Sequence, residues 1–478
     1  MISLRVLNDY SNLIFTKKRA MKKKIFFGIT LILIVGIASA FYFFKDVKKT
    51  QILINSITAI DKITQFLPIE QNTKDEIQAI DKFVQAFTVK DGIERRYLVL
   101  LQNNMELRPA GGFLGQYAVL KLKDGEVTTL FIEDANLLDQ RIKADVRAPY
   151  PFEKMMEVKK WKFRDSNFFP DFPTTVEKVK YFYRLSGGND DFDGVMAVNA
   201  TVLNDFLKIT GPIDLGAYGV FTGENAVLKL EEQVEKKYLL NEDLDTQNRK
   251  AVMKVLAPAI ADRLMIPSNI KKTADLALDE LRNKEVQFYF EDSELQTLAK
   301  SVGWAGVIDQ NWDGDYLMMV DANLGAFKSD YYMDREMIYS VDLTLEKPTA
   351  TLEINYTHNA TYGDWRTTDY HSYLRVYTPL GTDLLSRAWV GYPNIQEESG
   401  KNYFGFVCHT VMNSTTPAKI VYTLPDNLKD NYKLLIQKQS GVGDVPVTIN
   451  VKTAEGDYSQ KSILKNHLKF ELTKAEKK

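Results

Sequence analysis

Arg108 lies in a stretch, Tyr97 to Leu122, that reads YLVLLQNNMELRPAGGFLGQYAVLKL. Two apolar runs flank a polar, glycine-rich segment holding Asn103, Asn104, Glu106 and Arg108, a pattern that predicts strand, loop and strand. Gly111, Gly112 and Gly115 would let that loop fold tightly at the end of a sheet, where ligands tend to bind. A guanidinium there suits a phosphate or pyrophosphate, which takes planar, permanently charged donors in pairs. The alternative is a hairpin whose Arg108 pairs with Glu106. Asp134 and Asp171, each on an expected loop after an apolar run, are candidate carboxylates for a hard metal such as magnesium, with turn or ion-pair roles as their alternative.

Other constellations are weaker. Asp309 to Asp315 matches the first half of a calcium loop, but Val320 stands where a bidentate glutamate is required. His358, His371, His409 and His467 show no helical metal spacing, and Cys408 and His409, adjacent on an expected strand, point to opposite faces. No nucleophile elbow, Walker loop, H-E-x-x-H or full dinucleotide fingerprint occurs.

The elements that must position these residues fall into two sets. Strands and helices alternate through residues 93–334, which predicts an α/β sheet domain. From about Arg335 to residue 465 about seven runs rich in Tyr, Val, Ile and Thr predict an all-β sandwich, with a solvated tail at 466–478. Before the sheet, apolar spacing from Ile54 to Leu67 and a second helix opening at Thr73, with Glu76 completing a capping box, predict a helical stalk over residues 45–92.

Ile25 to Phe44 carries no charge and has the length of a bilayer-spanning helix. Six basic residues from Lys17 to Lys24, at the end of the tail 1–24, precede it and three lysines follow, so the N-terminus is expected in the cytoplasm and the bulk of the chain outside, anchored in the cytoplasmic membrane. A cleaved signal peptide is the competing reading, with Ala38-Ser39-Ala40 as its cleavage site and Met21 as a plausible start. With 61 basic and 63 acidic residues the chain has no overall field for nucleic acid, and its single cysteine excludes an intramolecular disulfide framework.

The NN-ELRP-GGF-G pattern, with NFFPDFP from Asn167, DGVMAVNATVLNDFLKITGPIDL from Asp193 and GDYLMMVDANLGAFKSD from Gly314, resembles the signature of a bacterial family known only as domain of unknown function 4012. More distantly, the segments from Asp191, Phe221 and Leu244 are similar in order to the LytR-CpsA-Psr family. That likeness implies a membrane-anchored, extracytoplasmic α/β protein transferring glycopolymers from a polyprenyl pyrophosphate with arginines and a magnesium ion. By position, Asp245 and Arg249 match the Asp and Arg of that family's late segment, and Arg108 matches the arginine ending an early core strand. The chain departs from it at Lys236-Lys237-Tyr238, where paired arginines stand, and at Arg108-Pro109-Ala110-Gly111, where Arg-Ser-Asp-Thr stands. The expected function is binding, and conceivably transfer, of a phosphate-bearing or lipid-linked envelope glycopolymer. A non-enzymatic role in adhesion or envelope assembly is the alternative.

Overall fold

An apolar run without alternation makes a strand that must be covered on both faces, and Tyr97 to Leu100 is such a run. The computed structural model describes residues 70–232, 252–264 and 266–472. In it the run belongs to β1 (Glu94–Arg108), the middle of a five-stranded sheet completed by β2 (Gly111–Lys123), β3 (Glu126–Asp134), β4 (Gly194–Asn199) and a later strand. Two short pieces, β5 (Ile213–Asp214) and β6 (Val220–Phe221), pair with each other, and β7 (Val286–Phe290) is that later strand. The order is β3-β2-β1-β4-β7, with β1 and β4 parallel and the other neighbours antiparallel.

Helices cover both faces. Helix α1 (Gln71–Thr88) precedes β1, and α2 (Ala135–Arg141), α3 (Tyr150–Met156) and α4 (Phe172–Leu185) lie between β3 and β4. Between β4 and β7 come α5 (Thr201–Thr210), α6 (Ala226–Glu231), α7 (Met253–Leu264) and α8 (Pro267–Arg282), and α9 (Ser293–Ser301) follows. Tyr97, Val99, Met196 and Phe288 pack with Phe83 of α1, Phe206 of α5 and Ile260 of α7. Leu98, Leu100 and Val195 pack on the opposite face with Leu138, Phe152 and Val179. Helix α1 is therefore a layer of this unit rather than part of a stalk. Its expected capping box is absent: no side chain caps its start, and Glu76 instead forms a forked ion pair with Arg282 of α8.

The sandwich begins earlier and holds more strands than the sequence pattern suggested. β8 (Asp315–Asn323), expected in the α/β unit, is buried along its whole length inside one of two six-stranded sheets. The remaining strands are β9 (Met333–Asp342), β10 (Thr349–His358), β11 (Tyr370–Thr378), β12 (Leu384–Ala388), β13 (Asn394–Glu398), β14 (Lys401–Thr410), β15 (Ser414–Thr423), β16 (Lys433–Ile436), β17 (Val445–Thr453), β18 (Gly456–Leu464) and β19 (Leu468–Glu471). One sheet runs β12-β15-β10-β9-β17-β18 and the other β13-β14-β11-β8-β16-β19, so β19 draws part of the expected tail into the fold. Their inner faces share one core containing Leu317, Tyr339, Ile354, Phe404 and Ile436. Cys408 is buried there, where burial pushes its thiol up, while His409 points outward.

The two units meet around a buried ionic network. Arg335 donates from Nε to Asp321 at 2.8 Å and from Nη2 to Asp330 at 2.8 Å, and it lies over the rings of Tyr356 and Tyr370. One buried cation faces two carboxylates, and the excess negative charge is met by neutral donors. Tyr356 donates to Asp321, while Tyr370, Asn323 and the Leu107 backbone donate to Asp330. Since Leu107 ends β1, the α/β sheet is tied directly to the sandwich. Asp330→Ala is expected to lower the unfolding free energy by about 3 kcal/mol, because it takes one of the two carboxylates from buried Arg335 and an acceptor from three further donors. Urea titration followed by tryptophan fluorescence checks this; a loss within the error of the titration would make the network dispensable.

Candidate functional site

Parallel pairing of β1 and β4 stops at Gln102 and Asn199, and the crevice beyond such carboxyl ends is where α/β proteins characteristically bind ligands. Past this level β1 does not become a loop. It bulges between Asn103 and Leu107 and runs on to Arg108, leaving only Pro109 and Ala110 as the turn into β2. Asn103 stabilises the bulge by accepting from the Met105 backbone at 3.1 Å. Gly111 and Gly112 allow the chain to close so tightly. Gly111 has φ +137°, and a Cβ on Gly112 would lie 2.1 Å from the Asn103 carbonyl carbon.

Arg108 is 1% exposed, and every N–H group on its guanidinium is engaged. Nε and Nη2 bind Asp165, Nη2 also binds Glu106 at 3.0 Å, and Nη1 binds the carbonyls of Asn323 (2.6 Å) and Leu107. The pairing with Glu106 is thus realised, and no donor of Arg108 remains for an anion. Asp171 caps α4 through Thr174 and also accepts from the Ile308 backbone at 3.0 Å. Asp134 caps α2 through the Asn136 backbone. Neither carboxylate belongs to a metal-holding group: among the described residues no cluster of three or more His, Cys, Asp or Glu could hold an ion. Asp315 of the calcium-like loop is buried and accepts from Tyr339 and Tyr432, burial pushing its carboxyl up to about 6. Asp245 and Arg249 lie outside the described residues.

The residues the fold does bring together come partly from a segment to which the sequence pattern assigned no site, Gln437 to Gly441. It follows β16 and lies in the seam between the units. Gln439 donates to the carbonyls of Arg108 and Asp321, and Ser440 donates to the Lys284 carbonyl and accepts from Gln287 and Asn199. Asn104, a candidate from the sequence, donates to the Gly441 carbonyl and to Thr201 at the start of α5.

Beside this seam opens a polar cleft of about 190 Å³ lined by Asn104, Thr201, Asp205, Glu280, Glu285 and Lys438, with Val442 to Asp444 on the sandwich side. Glu285 accepts from Asn199 at 2.9 Å and Thr201 at 3.1 Å and lies 3.8 Å from the Lys438 ammonium. Burial, reinforced by the negative charges of Glu285 and Asp205, pushes the Glu280 carboxyl far above the carboxylate range, so it keeps its proton at neutral pH. Asp205 pairs with Lys208 at 2.6 Å. The cleft thus offers a carboxylic acid, carboxylates, an amide, a hydroxyl and an ammonium, groups that hydrogen-bond a polyhydroxylated ligand from both sides. Behind it Lys284 sits 4% exposed with φ +62°, donating to the Lys438 carbonyl, and burial together with the Lys438 charge lowers it to about 7.

The fold and cleft define a class, a three-layered α/β unit joined to a twelve-stranded sandwich with a polar crevice at the seam. Residues 92–234, from just before β1 past α6, match the family described as "Protein of unknown function (DUF4012)". No curated protein matches the chain. Among solved structures, native leukotriene A4 hydrolase from Saccharomyces cerevisiae aligns at 10% identity over 27% of this chain and 27% of that one, with a TM-score of 0.15, too low to carry an argument.

Two measurements follow. Arg108→Lys is expected to cost about 2 kcal/mol of stability, because three donors on a flexible stem cannot replace a planar fork between Asp165, Glu106 and two carbonyls. An unchanged urea midpoint would return Arg108 to the list of ligand contacts. Lys284 titrates near 7 when folded and near 10.4 when unfolded, so between those values the unfolded chain binds the extra proton and stability rises with pH. The slope is at most about 1.4 kcal/mol per pH unit. Glu280, protonated in the fold, contributes a slope of the opposite sign in both proteins, so unfolding titrations from pH 7.5 to 9.5 should give the native chain a more positive slope than Lys284→Met; parallel slopes would refute it.

Proposed function

We propose that the chain is an extracytoplasmic envelope protein, held at the cytoplasmic membrane by Ile25 to Phe44, that binds the saccharide portion of an envelope glycopolymer or of its lipid-linked precursor. The observation carrying the reading is the cleft at the carboxyl ends of β1 and β4, where acid, amide and hydroxyl groups converge from both units. The uncharged run with its basic flank supports the location. No helix among the described residues is long and apolar enough to cross a membrane, and Ile25 to Phe44 lies outside them.

Transfer from a polyprenyl pyrophosphate, as the likeness to the LytR-CpsA-Psr family implies, is a separate step. Asp134 and Asp171 serve as helix caps, and Arg108 is committed to the hairpin. Arg249 and Asp245 are the residues on which transfer would rest. A non-enzymatic adhesion role draws on a different observation: Trp389, 72% exposed, and Tyr392, 88% exposed, stand with Leu385 and Ile395 at the β12 and β13 edge of the sandwich.

Calorimetric titration of the full-length, detergent-purified protein with short saccharide fragments released from the envelope separates these readings. Fragments should bind, and Glu285→Gln should weaken them about tenfold, the value of a hydrogen bond to a charged group. Saturable binding of polyprenyl pyrophosphate lost in Arg249→Ala would add transfer. Absence of any saccharide binding would leave the adhesion reading.

A further inference from the structure

The outer face of the β12-β15-β10-β9-β17-β18 sheet holds two hollows, of about 560 and 530 Å³, over the same three strands, β9, β10 and β17. The first lies at the Asp342 end of β9 and the second at the Met333 end. The second shares Val442, Gly443 and Asp444 with the cleft described above. Ten residues of β9 separate Met333 from Asp342, about 30 Å of strand, so hollows and cleft line up along one side of the molecule.

Strand register decides what faces outward. At one level Thr351, Ser340, Asn450 and Ser459 stand side by side on four adjacent strands, an uncharged row of hydroxyls and an amide. Part of the row is already linked: Ser459 donates to Asn450 at 2.8 Å, and Asn450 donates to Ser340 at 3.2 Å. Two lysines are paired within the face, Lys452 with Asp342 at 3.1 Å and Lys419 with Glu353 at 2.6 Å, while the amides of Asn355 and Asn359 donate to Glu336 and Asp334. A polyanion needs a surplus of cationic donors, which this face lacks. A polymer of neutral, hydroxyl-rich units needs preorganised groups that both donate and accept, and a hydroxyl or an amide does both.

We propose that this face is a track for a linear, uncharged glycan strand, which lies across β10, β9 and β17 and delivers its end to the cleft beside Asn104 and Thr201. The inference rests on the saccharide reading of the cleft and adds to it a length requirement. Contacts along the track multiply the affinity of a strand already held at its end, so binding depends on how many units the strand has.

Envelope glycan released by glycosidase and fractionated by length provides the probe, and the full-length protein the target. Strands longer than the track should bind at least about tenfold more tightly than disaccharides, about 1.4 kcal/mol of added contact. Thr351→Arg, which fills the first hollow, and Asn450→Ala, which breaks the row, should each remove most of that advantage while leaving disaccharide binding and thermal midpoint unchanged. Equal affinity for long and short fragments, or a full length advantage in both variants, would overturn the track and leave the cleft standing. Failure of every fragment to bind would end both. Salt-sensitive binding of an anionic polymer to this face would replace the neutral ligand.

Discussion

A single buried guanidinium, that of Arg335, must satisfy two carboxylates while lying over two aromatic rings, and much of the molecule is arranged around that constraint. Asp321 comes from β8, Asp330 from the turn before β9, Tyr356 from β10 and Tyr370 from β11, so the charge cluster fixes the register of both sheets of the sandwich at once. Its spare acceptor oxygen takes the backbone of Leu107, which fixes the hairpin of the α/β sheet too. Apolar packing alone tolerates sliding; a forked ion pair in a dry environment does not.

This dependence explains what the amino-acid pattern revealed and what it hid. The mixed α/β character, the sandwich and the buried run at Tyr97 were legible because period and composition carry them. β8 was misassigned because its burial on both faces removes the alternation that marks a sandwich strand, and the turn residues before it resemble those of the α/β unit. Arg108 could be read as a ligand contact because two of its four carboxylate and carbonyl partners, Asp165 and Asn323, are distant in sequence. Asp134 and Asp171, candidates for a metal with turn roles as the alternative, cap helices in the fold, and a capping aspartate and a metal aspartate both follow an apolar run. Lys438 and Glu285 carried no local signal. They become notable only when β7 and the segment after β16 are brought together.

The polar seam has an electrostatic character of its own. Lys284, Lys438 and His467 are crowded at its back, and burial depresses the proton affinity of each, while the acids Glu280 and Glu285 at its front are pushed the other way. Opposite shifts across so short a distance mean that burial works against charge on both sides of the seam. A neutral, hydrogen-bonding ligand is what such an environment accepts with least disturbance.

The bond from Gln439 to the Arg108 carbonyl joins positions 331 residues apart, and the one from Asn104 to Gly441 spans 337. The hairpin at the heart of the first unit is therefore finished by a segment synthesised more than 330 residues after it. Loop closure over such separations is slow, and a chain that must wait for it exposes an incomplete sheet in the meantime. The native state of the hairpin thus cannot form until Gln439 and Gly441 have been synthesised. Truncation near the C-terminus would strand the earlier unit in a partly folded form, and quality-control proteases would see the loss of one polar loop as the failure of the whole protein.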